Sequence, residues 1–377
     1  MATTQARLYS ELAGELQLSW SEAQLPERER TKHVHRLHPY LGKFIPQLVE
    51  ALIDRYVPPG GRVLDPFAGS GTTLVQALES GRDATGVDIA GFNALLMRVK
   101  TGSYGLDALR RDLLAAHAQV QAFEPHGRYP AHASAYVRAW YAPIAAEELL
   151  HFHALAGEAG HADVLRVVLA RAARSARRTT HFDLDFPREP QLGEYWCHKH
   201  RRTCRPVEEA RRFLLRYTLD TLDRIETFAA ARAEGRAAGV LHGDARTIDL
   251  RGPYDGVVTS PPYPGLIDYH EQHRYAYELL GLDERRDLEL GRPALGTSRV
   301  ALAAYVDGVA AVLANVRSTL RAGGRICIVV NDRRGLYPEV LHRAGLRLEE
   351  RLERHVNRRT GRRGGEYFES VLVARPG

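Results

Sequence analysis

The chain has 377 residues, of which 44% are hydrophobic and 26% are charged, and this composition is typical of a globular protein with a large core. Its formal net charge of +6 fits a polyanionic partner but does not require one. With only three cysteines, a disulfide framework is not expected and a reducing cytoplasm is. We see no apolar stretch long enough to span a bilayer and no leader, so we expect no membrane partner.

Strands and helices alternate from Gly61 onward. The segment GRVLDPF predicts a strand, which the glycine loop AGSG connects to the helix TTLVQALES. A second strand, ATGVDIA, precedes the helix FNALLMRVK. This order of elements predicts a parallel α/β sheet.

The alternation stops at residue 101, and residues 101–237 are mainly helical in pattern. Strand patterns return at Gly239 with GVLHGDAR and YDGVVTSPPY, and a helix at about Tyr305–Leu320 leads through a Gly-Gly turn to the strand RICIVVN. The last two strands, LRLEERLERHV and YFESVLVA, predict an antiparallel hairpin at the end of the sheet. The pattern therefore predicts one α/β domain that a helical insertion interrupts.

The loop after the first strand has the composition of a nucleoside site. Gly69 and Gly71 permit a tight turn and the close approach of a ligand, whereas Leu74 replaces the third glycine of a dinucleotide fingerprint. Asp88 ends the second strand, where a carboxylate can accept from two ribose hydroxyls. We therefore expect a nucleoside cofactor without a pyrophosphate.

A second acidic residue, Asp244 in HGDAR, ends a strand at the same edge of the predicted sheet. There it can accept from an adenine amino group, and the alternative is a helix or turn cap.

The stretch Thr259–Tyr263, TSPPY, follows the buried strand YDGVV. Two adjacent prolines fix the backbone and lack N–H groups, so the turn is stiff and its carbonyls are free to accept. A stiff turn with acceptors beneath an aromatic ring suits a flat partner that carries an NH2 group. The alternative is an ordinary loop at the end of a strand.

These motifs occur in the order DPFAGSGTT, GVDI, HGDAR and TSPPY, and with them the chain resembles the amino-group DNA methyltransferases. That family transfers a methyl group from S-adenosyl-L-methionine to N4 of cytosine or N6 of adenine. The segment HPYLGKFIP at residues 38–46 is similar to a family segment that closes over the methionine end of the cofactor. The resemblance covers residues 33–100 and 239–377.

The resemblance implies a Rossmann-like sheet with a terminal antiparallel hairpin. It assigns residues 1–100 and 238–377 to the catalytic domain and residues 101–237 to a target-recognition insertion. The catalytic residues that it implies are Ser260, Pro261, Pro262 and Tyr263. The implied cofactor contacts are His38, Tyr40, Lys43, Phe44, Asp65, Pro66, Phe67, Gly69, Gly71, Thr72, Thr73, Asp88, Ile89, Asp244, Ala245 and Thr259.

The serine of TSPPY favours cytosine N4 over adenine N6, because adenine enzymes of the family more often carry Asp or Asn at that position. Two further hypotheses are the methylation of RNA or of a protein amide, and a DNA-binding protein that is catalytically silent. Methylation of cytosine carbon 5 is disfavoured, since none of the three cysteines follows a proline.

A base can enter such a site only when it is flipped out of double-stranded DNA, so basic contacts to the duplex are expected. The loop at residues 358–363 and two segments elsewhere supply candidates. They are Arg358, Arg359, Arg362, Arg363, His270, Arg274, Lys199, Arg201 and Arg202. The resemblance also implies a prokaryotic, nucleoid-associated enzyme and a restriction endonuclease that acts separately.

Cys197, His200 and Cys204 have a spacing that could supply three zinc ligands. Because no paired second half is evident in the sequence, we expect no metal and a basic, aromatic packing or recognition loop instead.

Overall fold

The structure is a computed structural model that describes residue 16 and residues 18–21, 23–356 and 367–377. Its main feature is a sheet of seven strands in the order β5-β2-β1-β6-β7-β9-β8. The strands of this sheet are β1 (Arg62–Asp65), β2 (Asp83–Asp88), β5 (Ala238–His242), β6 (Tyr254–Thr259), β7 (Leu320–Val330), β8 (Leu346–Val356) and β9 (Tyr367–Pro376). A separate two-stranded sheet consists of β3 (Tyr195–Cys197) and β4 (Arg202–Cys204).

Five neighbouring strands of the large sheet are parallel. β1 lies between β2 and β6, β5 pairs with the outer edge of β2, and β7 pairs with β6. β9 then runs antiparallel to β7, and β8 runs antiparallel to β9. The predicted α/β sheet and its terminal antiparallel hairpin are therefore confirmed.

The start of β7 differs from the prediction. The helix ends at Arg317, and Leu320 is already paired with Tyr254 at the beginning of the strand. The predicted Gly-Gly turn lies inside β7, where the register shifts and Gly323 has a φ of 81°. Glycine tolerates this left-handed conformation, so the irregularity is accommodated within the strand rather than ending it.

Helices fall into two groups. The first group is part of the α/β domain and comprises Pro46–Tyr56, Thr72–Glu79, Gly91–Thr101, Arg299–Arg317 and Tyr337–Arg343. The second forms the insertion and comprises Leu106–Ala122, Ala135–Trp140, Pro143–Glu158, Ala162–Ala176 and Arg211–Ala231. Short helices are Glu27–Arg30, Tyr269–Gln272 and Arg274–Leu280, and 3-10 turns are His33–Arg36, Arg286–Leu288 and Pro293–Leu295.

The central strands of the sheet are buried on both faces, and successive side chains along them enter opposite hydrophobic clusters. Val63 and Val258 belong to the cluster that contains the helix Pro46–Tyr56. Their neighbours Leu64 and Val257 belong to the cluster that contains residues of the helix Arg299–Arg317. The covered faces leave the carboxyl edge of the parallel strands as the place for a ligand.

The insertion packs onto this domain rather than standing apart from it. Its buried residues share one hydrophobic cluster with Val75, Leu78 and Phe92 from two helices of the α/β domain.

The helix Arg299–Arg317 is long and apolar enough to cross a membrane by length and composition alone. It contains Asp307, and Val309, Leu313 and Val316 are buried in the cluster on one face of the sheet. These contacts are those of a core helix.

Candidate active site

A cavity opens at the carboxyl edge of the parallel strands and encloses about 640 Å³, including its mouth. Residues from the glycine loop, the ends of β2, β5 and β6, and a later loop form its wall. They are Tyr40, Pro66, Phe67, Gly69, Asp88, Ile89, Asn93, Gly243, Asp244, Ala245, Ser260, Pro262, Tyr269, Leu288, Glu289, Leu290 and Val312. The two predicted acidic residues and the proline turn therefore meet in one crevice.

The glycine loop is held against the second strand. The backbone N–H of Gly69 donates to Asp88 Oδ2 at 2.9 Å, and Gly69 has a φ of 50°. A Cβ at this position would lie 2.9 Å from the Tyr40 hydroxyl. Only glycine satisfies both the backbone conformation and the close approach of Tyr40.

Asp88 is fixed as an acceptor at the cavity wall. Its Oδ1 accepts from the backbone N–H of Ala90 at 2.8 Å and from Asn93 Nδ2 at 3.1 Å. Burial raises the pKa of Asp88 to about 7, although these hydrogen bonds favour the ionised form. Asp88 therefore titrates near neutral pH.

Asp244 lines the same cavity, but its pKa is shifted in the opposite direction from that of Asp88. Burial disfavours its charge, but hydrogen bonds from Arg246, among them Nε at 2.9 Å and Nη2 at 2.6 Å, hold its pKa below the usual value. The Asp244 carboxylate, which we predicted from the sequence to accept from an adenine amino group, therefore already accepts from Arg246.

Several predicted cofactor residues lie beneath the cavity. Asp65 is buried and accepts from Thr73 Oγ1 and Thr259 Oγ1, both at 2.6 Å, and from the Phe67 N–H at 3.1 Å. Burial raises the pKa of Asp65 to about 6. This network ties the end of β1 to the next helix and to β6, so these groups support the loop. Gly71 and Thr72 are likewise buried at the start of that helix.

Within the described residues, the segment 38–46 contributes Tyr40 to the cavity wall. His38 is buried, donates from Nδ1 to the Pro39 carbonyl at 2.7 Å, and accepts from the Tyr275 hydroxyl at 2.9 Å. Lys43 donates to the His35 carbonyl at 2.9 Å. Phe44 packs against the hydrophobic cluster under the sheet. These three residues are therefore held within the fold and are not part of the cavity wall.

The proline turn is braced by three hydrogen bonds. Ser260 Oγ donates to the Val329 carbonyl at 2.9 Å, and the Tyr305 hydroxyl donates to the Pro262 carbonyl at 2.9 Å. The Tyr263 hydroxyl donates to Glu369 Oε1 at 3.1 Å. Because the only proton of Ser260 Oγ goes to Val329, this oxygen can act toward any further partner only as an acceptor, through its lone pairs.

A second cavity of about 700 Å³, including its mouth, lies on the other side of this turn. Tyr263 and Pro264 are part of its wall, whereas Ser260 and Pro262 face the first cavity. Its remaining wall consists of Leu266, Tyr305, Val330, Asn331, Asp332, Arg333, Arg334, Leu336, Tyr337 and Tyr367. The turn therefore separates two chambers.

Several residues of the first cavity were not predicted from the sequence. Asn93 is the third residue of the helix Gly91–Thr101, and its position five residues after Asp88 could have indicated that the two side chains meet. Tyr269 stacks on Tyr40, with ring centroids 5.4 Å apart and planes at 15°. Glu289 comes from a loop far along the chain, and no local pattern indicated it.

The structure corrects one predicted DNA contact. His270 is 1% exposed, donates from Nδ1 to Glu289 Oε1 at 2.5 Å, and accepts at Nε2 from the Arg285 N–H at 3.2 Å. A buried ring with both nitrogens engaged holds the Glu289 loop and cannot contact a duplex.

The other predicted DNA contacts differ in their setting. Arg274 is half-exposed beside Glu271 and Glu278. Lys199, Arg201 and Arg202 are exposed on the β3–β4 hairpin. The four arginines predicted at Arg358, Arg359, Arg362 and Arg363 lie outside the described residues.

The cavity fits an adenosyl cofactor. Asp88 offers a carboxylate for ribose hydroxyls, and Ile89, Ala245 and Leu290 supply apolar wall for a base. The fold and this site define the class of the protein, an S-adenosyl-L-methionine-dependent methyltransferase.

Comparison with known proteins gives the family. A family model described as DNA methylase matches residues 5–93. The Type II methyltransferase M.MjaII of Methanocaldococcus jannaschii is 34% identical to the chain over 92% of its length and 81% of the relative. The Type II methyltransferase M.MvaI of Kocuria varians is 37% identical over 18% of this chain and 15% of that protein. The chain belongs to the amino-group DNA methyltransferases, and it is a DNA methyltransferase.

Among solved structures, TrmN from Thermus thermophilus is 14% identical, with 94% of this chain and 55% of that chain covered and a TM-score of 0.38.

Proposed function

We propose that the enzyme methylates N4 of a cytosine that is flipped out of double-stranded DNA at a specific sequence. The observation that carries this proposal is the hydrogen bond that the Ser260 hydroxyl donates to the Val329 carbonyl. Ser260 lines the cofactor cavity and its hydroxyl proton is already donated to Val329, so in this proposal its oxygen offers lone pairs to an amine.

The exocyclic amine of cytosine is a weak nucleophile because its lone pair is delocalised into the ring. S-adenosyl-L-methionine supplies an electrophilic methyl group on a sulfonium. As the nitrogen attacks, the bond from the methyl carbon to sulfur breaks and a thioether is left. The N–H groups become more acidic during the attack, so acceptors at those protons stabilise the transition state more than the ground state, and the surplus proton then passes to water. Ser260 Oγ and the Pro261 carbonyl are the acceptors, and Ser260 holds its position through Val329.

The second cavity is the chamber that we assign to the flipped base. Tyr263 lies on its wall, and the bond from its hydroxyl to Glu369 fixes the ring. In this proposal the cytosine stacks on that ring, and its amine reaches past the turn to Ser260 on the wall of the cofactor cavity.

The free energy of contacts to the duplex has to offset the free energy of unstacking and unpairing the flipped base, which is a few kcal/mol. We assign them to Lys199, Arg201 and Arg202 on the hairpin, to Arg274, and to the arginines at 358–363. The insertion at 101–237 is the target-recognition region in this proposal. We further propose a prokaryotic cytoplasmic enzyme that acts on the nucleoid and whose methylation protects DNA from a separate restriction endonuclease.

Adenine N6 is the second candidate, because the same turn accepts from any planar NH2 group. The serine at position 260 favours cytosine. To test this, the pure protein methylates unmodified plasmid DNA, and the nucleosides of the product are analysed by mass spectrometry. We expect N4-methylcytosine, and N6-methyladenine without N4-methylcytosine would contradict the assignment. Parallel reactions on RNA are expected to give no product.

A further inference from the structure

The insertion brings two cysteines and two histidines together at the base of the β3–β4 hairpin. Cys197 ends β3, Cys204 ends β4, and His200 lies in the turn between them. His181 comes from the preceding loop, and one ligand atom from each of the four residues lies within 4.8 Å of the others. Three of these residues could be recognised from their spacing in the sequence. His181 lies 16 residues before Cys197, and no local pattern connects it to the other three.

The distances between the sulfur and nitrogen atoms match those between the ligands of a tetrahedrally coordinated zinc ion. Cys197 Sγ lies 3.6 Å from Nδ1 of His181 and 3.6 Å from Nδ1 of His200, and Cys204 Sγ lies 3.5 Å from His200 Nδ1. Bonds of about 2.3 Å to sulfur and about 2.0–2.1 Å to nitrogen at tetrahedral angles separate S from N by about 3.5–3.6 Å.

The chemistry of the four side chains also suits a metal. Both cysteines are buried, at 3% and 8% exposure, and both are free thiols. Two cysteines and two histidines make a closed ligand set that is typical of structural zinc. The Tyr195 hydroxyl lies 2.8 Å from His181 Nδ1 and also accepts from the His181 backbone N–H at 3.1 Å. A bound ion would take the lone pair of that nitrogen, and Tyr195 would keep its bond to the backbone.

Regular secondary structure and buried apolar side chains give the β3–β4 hairpin little other support. Its strands have three residues each, and the segment between the helices that end at Ala176 and start at Arg211 contains no other strand or helix in the described residues. Trp196 and Phe182 are 59% and 68% exposed, so they contribute little core. An isolated two-stranded hairpin is marginal in water, and small units of this kind need a staple.

We propose that His181, Cys197, His200 and Cys204 bind one zinc ion that organises the β3–β4 hairpin. The ion is structural, because its four protein ligands leave no open position for a substrate. The site is independent of the base that the enzyme methylates.

The test is the metal content of the full-length protein, purified under reducing conditions without a chelator. We expect one zinc per chain by inductively coupled plasma mass spectrometry. After removal of the zinc, Co²⁺ is expected to restore one equivalent, with a thiolate-to-cobalt charge-transfer band in the absorption spectrum. A reduced protein that holds no zinc and takes up neither ion would overturn the proposal, as would a Cys197–Cys204 disulfide in its place.

Variants locate the site. Cys204→Ala and His200→Ala are expected to lower the zinc content to below a tenth of an equivalent and to abolish the cobalt band. His198→Ala, in the same hairpin, and Cys327→Ala, in the core of the sheet, are matched controls that keep both. His200 is exposed, so its variant remains informative if the loss of Cys204 prevents folding. Full zinc in both ligand variants would refute the assignment.

Discussion

Ser260 is a single hydroxyl whose hydrogen-bond roles are divided between the sheet and the cavity. Its proton goes to Val329, and the residue lines the same cavity as Asp88. Ser260→Ala removes the acceptor and leaves the turn with its other two braces, so kcat is expected to fall about a hundredfold. The dissociation constant for S-adenosyl-L-methionine should change less than about threefold, because an acceptor that acts only in the transition state does not contribute to ground-state binding.

Single-turnover kinetics and calorimetry measure these two quantities. Ser318→Ala, at an exposed serine that is not part of the cavity wall, is the control and should keep full activity. An unchanged kcat in Ser260→Ala would remove Ser260 from the chemistry.

Asp88 gives cofactor binding a pH dependence whose sign follows from its raised pKa. The group titrates at about 7 in the folded protein, so below that pH it carries a proton. The neutral acid is a poorer acceptor for ribose hydroxyls, and the affinity should fall up to about tenfold per pH unit below 7 and level off above it. Asp244 has a lowered pKa, so it remains ionised and adds no step in this range.

Calorimetric titration of the cofactor at several pH values between about 6 and 8 measures this dependence. Asp88→Asn should bind about tenfold or more weakly and lose the dependence, since the amide does not titrate. An affinity that is constant across this range in the unmodified protein would show that Asp88 does not control binding.

At the scale of elements, the β3–β4 hairpin presents Lys199, Arg201 and Arg202 to solvent. If these residues contact phosphates, replacing all three with alanine weakens DNA binding for every sequence. The slope of log affinity against log salt should fall by about 0.9 for each phosphate that the variant no longer neutralises. Arg111→Ala, an exposed arginine on the insertion helix Leu106–Ala122, is the charge control. Fluorescence anisotropy at several salt concentrations measures both, and an unaltered slope in the triple variant would exclude the hairpin from the interface.

The strands of the α/β domain, the glycine loop and the proline turn could be predicted because each of them carries a local pattern. The strand before Gly69 and the turn at Ser260 are examples, since glycine and proline constrain the backbone where they stand. His270 could not be assigned, because an exposed and a buried histidine look alike in sequence. Its burial depends on Glu289, which is supplied by a loop that no local pattern connects to it.

The fourth ligand in the β3–β4 hairpin was missed for the same reason, because a contact between distant residues leaves no local pattern in the sequence. His181 and Cys197 meet only after the loop between them folds back, so the spacing of the cysteines indicated three ligands and not four.

At the scale of the whole molecule, the cofactor cavity joins parts of the sheet that lie far apart in the chain. A ligand that binds only the folded state stabilises it by about 2.7 kcal/mol at a hundred times its dissociation constant. We therefore expect S-adenosyl-L-methionine to raise the melting temperature by several degrees, as calorimetry would show. Asp88→Asn should show a smaller shift at the same concentration. An equal shift in both proteins would mean that the ligand binds elsewhere.

β1, at the centre of the sheet, has one neighbour that precedes the insertion and one that follows it. A nascent polypeptide therefore carries the glycine loop and Asp88 long before the ribosome has made Ser260 or Val312. Translation products that stop within the insertion lack the proline turn and one wall of the crevice. We therefore expect such fragments to have no methyltransferase activity.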